Sequence, residues 1–167
     1  MTSFTRRTLL HLPTKSPFGI CHRNFRSSIL AAGHSDEAWL ATQSLKDGVV
    51  TRRSGLMYKV LIGLANDAPR ISPRLRTPCL CHYEGKLIDG TVFDSSIERG
   101  EPATFTPAQV IDGWTEALQL MGQGEKWEIF VPPHLGYGSA GAPGVIPPGA
   151  ALNFTLELIE VKSEYQE

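Results

Sequence analysis

Long apolar runs are missing from this 167-residue chain; the longest uninterrupted one is only a few residues. A membrane-spanning helix needs about 20 in succession, so none is expected. Cysteine is scarce, with only Cys21, Cys79 and Cys81. A direct bridge between Cys79 and Cys81 would be strained, and a lone C-x-C lacks the second pair that a structural zinc site requires. The five histidines (11, 22, 34, 82 and 134) show no zinc-ligand spacing. Neither a G-x-S-x-G elbow nor a strong nucleophile–base constellation is present. Excess charge is lacking too: the net charge is −1, which gives no reason to expect nucleic-acid binding. With 41% hydrophobic residues the chain is too apolar for wholesale disorder.

One absence is local. Residues 1–35 contain no acid but hold Arg6, Arg7, Lys15, Arg23 and Arg26, five of the 16 basic residues. The other 11 share residues 36–167 with all 17 acids, a balance of −6. An acid-free start with Arg, Ser and Thr reads as a targeting segment over residues 1–33. Export is the first reading, with small residues for cleavage at Ser28-Ile29-Leu30-Ala31-Ala32-Gly33; a mitochondrial presequence and an uncleaved tail are the alternatives. A helix is predicted over residues 34–48, capped by Ser35, with Asp36 and Glu37 in its first turn and Gly48 ending it. About three turns do not hold together alone. This helix must pack on the domain, meet a partner or protrude, and Trp39 and Leu40 offer an assembly face.

Residues 49–162 read as one α+β domain, followed by a short tail over 163–167. Strands are predicted at Leu56–Ile62, Cys79–Glu84, Thr91–Phe93 after the Asp89-Gly90 turn, Lys126–Val131 and Ala151–Leu158. In the last, Leu152, Phe154, Leu156 and Leu158 alternate with Ala151, Asn153, Thr155 and Glu157. Cys79 and Cys81 fall on one strand face, as small buried residues. One helix, Asp112–Met121, carries Trp114, Leu118 and Met121 at helical spacing and stops at Gly122. Several strands around one helix, without β-α-β alternation, imply an antiparallel sheet curled over that helix. Residues 132–149 hold ten of the 28 Gly and Pro residues, with Leu135, Tyr137, Val145 and Ile146 interspersed. A loop this long reads as ordered and functional. Within it, Gly136–Gly141 satisfies G-x-G-x-x-G, yet the prolines that follow prevent the helix a dinucleotide site needs. The sequon Asn153-Phe154-Thr155 lies mid-strand, where no sugar is expected.

Five blocks now stand in order: Tyr83-Glu84-Gly85, Asp89-Gly90-Thr91-Val92-Phe93-Asp94-Ser95-Ser96, Val110-Ile111-Asp112-Gly113-Trp114, Tyr137-Gly138 and Ile146-Pro147-Pro148. Together they resemble the FKBP-type peptidyl-prolyl isomerases over about two thirds of the chain. Gly48–Thr51 with Ser54–Leu61 further resembles the macrophage infectivity potentiator (Mip) branch. The resemblance implies a half-barrel antiparallel sheet around one short helix, preceded by a helical extension. It implies a prolyl-binding pocket lined by Tyr83, Phe93, Asp94, Arg99, Phe105, Val110, Ile111, Trp114, Tyr137, Ile146 and Phe154. Asp94, Tyr137, Trp114 and Phe154 would carry catalysis and the others would bind substrate. Two positions depart from the family pattern: Ala103 replaces a frequent aromatic, and Ala142 replaces a polar rim residue.

Rotation about an X-Pro bond makes and breaks no bond, so no metal or cofactor is implied. Trp114 would form the floor of an aromatic well. Tyr137 would donate to a substrate carbonyl, Asp94 would meet the twisting carbonyl or orient its neighbours, and Arg99 would hold Asp94. The implied partners are proline-containing peptides or proteins, as folding substrates or host or client proteins, and macrolide immunosuppressants as inhibitors. A monomer is expected, with a dimer through the N-terminal helix as the alternative. A competing reading keeps the well as a proline-segment binding module or chaperone in which turnover is dispensable.

Overall fold

The computed structural model describes residues 28–162. The segment read as a targeting signal lies outside the described residues except for its last few positions, and the tail over 163–167 lies wholly outside. Helix α1 spans Ser28–Ser44. The strands are β1 Val49–Thr51, β2 Met57–Ile62, β3 Cys79–Leu87, β4 Val92–Ser95, β5 Ala103–Phe105, β6 Lys126–Val131 and β7 Leu152–Val161. The remaining helices are α2 Ser96–Arg99 and α3 Asp112–Leu120, with 3₁₀ turns at Pro107–Gln109 and Pro133–Leu135.

All seven strands form one antiparallel sheet in the order β1-β2-β6-β7-β3-β4, with β5 also paired to β3. The alternation along β3 and β7 decides which face is inside: Cys79, Cys81 and Tyr83 of β3 and Leu152, Phe154, Leu156 and Leu158 of β7 are buried. Helix α3 lies against that face and buries Gly113, Trp114, Ala117 and Leu118. Gly113 permits the close approach, since a Cβ there would sit 2.7 Å from a Val131 methyl. The sheet is thus wrapped over one short helix, as the sequence predicts.

The N-terminal helix departs from expectation at its start. It begins at Ser28, so Ser35 lies within it rather than capping it, and its first turn carries no acid. Asp36 instead turns its Oδ2 to the backbone N–H of Ala151, which donates across 2.6 Å. Trp39 packs edge-on against Phe130 with ring centroids 5.7 Å apart, and Gln43 is buried. These contacts dock the helix on the domain, one of the three outcomes the sequence left open.

Candidate functional site

Trp114 is the third residue of α3, in its first turn, and is 0% exposed. Three rings surround it: Tyr83 of β3 at 5.1 Å, Phe154 of β7 at 5.2 Å and Phe105 of β5 at 5.9 Å, each at an interplanar angle near perpendicular (80°, 81° and 86°). Phe93 of β4 meets Phe154 at 88° and 5.5 Å. Edge-to-face contacts of this kind satisfy the ring quadrupoles and fix each ring's orientation. Gly85 makes the arrangement possible. A Cβ at that position would lie 2.6 Å from Phe93 and 2.7 Å from Phe154, inside van der Waals contact.

One corner of the cluster is polar. Tyr83 Oη donates to Asp94 Oδ2 at 2.7 Å and accepts from Arg99 Nη2 at 2.7 Å. Arg99 Nη1 donates to Asp94 Oδ1, and the guanidinium carbon stands 5.5 Å from the Tyr83 ring centroid. The local chain builds this corner. Ser95 Oγ accepts from Glu98 N–H and starts α2, and Gly100, in the left-handed conformation, ends it, which returns Arg99 over Asp94. Behind it, the buried Ser96 Oγ accepts from Tyr83 N–H at 2.7 Å and lies 3.0 Å from His82 Nδ1. Burial first, and then the hydrogen bond to Asp94, push the Tyr83 hydroxyl up to about 12, so it stays protonated at neutral pH.

The rim comes from the Gly/Pro-rich loop and the entry to α3. Ala142 and Ile146 exchange two backbone hydrogen bonds of 2.8 Å, and Gly138 O accepts from Gly149 N–H at 2.9 Å. Gly141 has φ +63°, and a Cβ there would meet Ile146 O at 2.4 Å. No helix follows Gly141, so its G-x-G-x-x-G match belongs to a turn and hairpin. Tyr137 is half-buried. Its hydroxyl makes no hydrogen bond to any described residue, and burial and the nearby Asp94 charge raise its pKa. Thr115 Oγ1 donates to Pro107 O at 2.6 Å, which anchors the Val110–Ile111 entry to α3.

Nine of the eleven sequence-predicted residues fall in or against one apolar cluster. The other two, Asp94 and Arg99, join it through Tyr83. Their depths differ. Trp114 and Phe154 are wholly buried, while Phe93, Phe105, Ile111 and Tyr137 are half-buried. Gly85 and Ser96 belong to the same sequence blocks, and only the structure shows their contacts. The alternation of β3, which faces Gly85 inward beside Tyr83, was the signal available for Gly85.

A family model described as FKBP-type peptidyl-prolyl cis-trans isomerase matches residues 71–159. The chain is 50% identical over 127 residues to the "Peptidyl-prolyl cis-trans isomerase Mip" of Coxiella burnetii, covering 76% of this chain and 54% of that one. It is 50% identical over 109 residues to the "Macrophage infectivity potentiator" of Trypanosoma cruzi, covering 65% and 54%. The chain thus spans about half the length of these curated relatives. A crystal structure of a peptidyl-prolyl cis-trans isomerase from Pseudomonas syringae superposes with a TM-score of 0.72 at 33% identity, over 80% of this chain and 96% of that one.

Proposed function

The chain belongs to the FKBP-type peptidyl-prolyl cis-trans isomerase family, and from that membership we propose that it catalyses rotation about X-Pro bonds of polypeptides in the well over Trp114. The observation that carries this reading is the contrast between two tyrosines on one aromatic cluster. The Tyr83 hydroxyl is held between Asp94 and Arg99, and the Tyr137 hydroxyl is free of described partners at the half-buried rim.

The barrier to be lowered is about 18–20 kcal/mol and comes from amide resonance. Resonance makes the planar amide more dipolar than the twisted one, so a site that removes water favours the twisted state. The half-buried Phe93, Phe105 and Ile111 supply apolar walls for the prolyl ring. Trp114 and Phe154, fully buried, brace those walls from below. Tyr137 donates to a carbonyl of the peptide and fixes its register. Asp94 already has its cation in Arg99 and also accepts from Tyr83 Oη, so it acts as a positioning residue: it holds Tyr83 and Arg99 in place. An acceleration of 10⁵ needs only about 7 kcal/mol, within reach of desolvation and orientation.

A proline-limited peptide assay tests the reading. Wild-type protein is expected to accelerate cis–trans exchange, and Asp94→Leu to lower kcat/KM about tenfold or more while near-UV circular dichroism shows a folded core. Asp94→Asn serves should Leu fail to fold. Wild-type rates in both variants would place the site elsewhere. A macrolide of the family's inhibitor type is expected to compete with the peptide for the same well. The acid-free start supports export, with an N-terminus near residues 28–35 in the mature protein; organelle recovery of the chain would contradict it.

A further inference from the structure

A hollow of about 270 Å³ lies next to the well, where α1, the turn after β3 and the rim loop come together. It shares a wall segment with the well: Ile146 belongs to the aromatic cluster, and the next residues, Pro147 and Pro148, line the hollow together with Leu87 and Ile88. This volume, at the low end of ligand sites, has room for a single long side chain of a polypeptide.

Two acidic residues, Asp36 and Asp89, are among those that line it. Asp36 is 5% exposed, and its partners are Ala151 N–H at 2.6 Å and the Ser35 hydroxyl at 3.2 Å. No Lys or Arg among the described residues forms an ion pair with it. A buried carboxylate with no cation among the described residues is costly, and a cation entering the hollow would relieve that cost. Asp89 is exposed at the turn, and its Oδ1 accepts from Thr91 N–H at 2.9 Å. That hydrogen bond holds its carboxyl below the usual range and keeps it charged. A hollow lined by apolar residues and two acids matches a side chain with an aliphatic stem and a cationic head.

We propose that this hollow is a subsite for a lysine or arginine side chain of the substrate polypeptide, a few residues from the proline held in the well. The stem lies on Leu87, Ile88, Pro147 and Pro148, and the head meets Asp36 and Asp89. The proposal rests on the isomerase reading above. It gives α1, which supplies Asp36, a part in substrate selection.

The test is a series of X-Pro peptides in which one lysine is walked through the positions flanking the X-Pro pair, each compared with norleucine, which keeps the stem without the charge. At one position lysine is expected to raise kcat/KM about fivefold over norleucine, the size of a partly shielded ion pair. In Asp36→Asn, whose side-chain oxygen still accepts from Ala151 N–H, that ratio falls to about one. In Glu37→Gln, one residue away and exposed, it is kept. Asp89→Asn lowers it in part, and it guards against misfolding of the Asp36 variant because its turn is exposed. Equal ratios at every position, or equal loss in Asp36→Asn and Glu37→Gln, would overturn the proposal. Amide shifts of Leu87, Ile88 and Ala151 on titration with the lysine and norleucine peptides decide the subsite independently. Absence of turnover with lysine-specific shifts would sink the isomerase reading and keep the subsite.

Discussion

At the corner built by β3, β4 and α2, the Tyr83 hydroxyl donates to Asp94 and accepts from Arg99 at 2.7 Å each. On the rim built by residues 132–149, the Tyr137 hydroxyl stands half-buried with no described partner. The two tyrosines join one aromatic cluster, yet place the same chemical group in opposite surroundings. A hydroxyl whose donor and acceptor capacity is spent inside the protein stabilises the cluster and has little left for a substrate. One with no described partner, and not among the buried unpaired atoms, keeps its donor free for the carbonyl that the proposed function assigns to it. The contrast follows from the chain: Tyr83 lies in a long central strand flanked by three others, and Tyr137 lies in a loop shaped by tight turns.

The comparison breaks most forcefully at its shared base. Trp114→Ala removes the ring against which Tyr83, Phe105 and Phe154 rest, and is expected to cost about 3–5 kcal/mol in denaturant unfolding, with loss of activity. Gly85→Ala pushes a methyl into Phe93 and Phe154. It is expected to cost about 1–3 kcal/mol and to lower kcat/KM by displacing Phe93. A smaller effect sharpens the corner alone. The Tyr83 hydroxyl, raised to about 12 in the folded protein from an ordinary value near 10, favours the protonated form there. Its contribution to stability is whole below pH about 10 and is lost as pH rises through about 12. Tyr83→Phe is therefore expected to lose less stability than wild type across that window, read as the difference between the two pH–stability curves. Identical slopes would show that the corner does not hold the hydroxyl protonated.

Much of the domain was legible because alternation is a strong signal wherever one sheet face is buried. β6 falls at Lys126–Val131 as read from Trp127, Ile129 and Val131, and α3 at Asp112–Leu120 follows the spacing of Trp114, Leu118 and Met121. β1 and β5, each three residues, are too short to show a period, and the four-residue α2 is defined by its caps instead. The aromatic cluster was anticipated through family resemblance, since periodicity alone reads Trp114 and Phe154 as core, which in depth they are. What the sequence did not disclose is long-range. Asp36 reads as a helix-start acid, but its partner is the backbone of Ala151, 115 residues away. The depth order within the well and the shared engagement of Asp94 likewise depend on which strands meet, not on any local pattern.

The most direct test of the division between corner and rim is Tyr137→Phe, measured for both unfolding free energy and kcat/KM on an X-Pro peptide. Losing a hydroxyl with no protein partner is expected to leave stability within about 0.5 kcal/mol of wild type. Losing the donor to the peptide carbonyl is expected to lower kcat/KM by up to about tenfold, one hydrogen bond's worth. Unchanged kcat/KM, or a loss matched by a fall in stability, would contradict the assignment of the rim hydroxyl to the substrate.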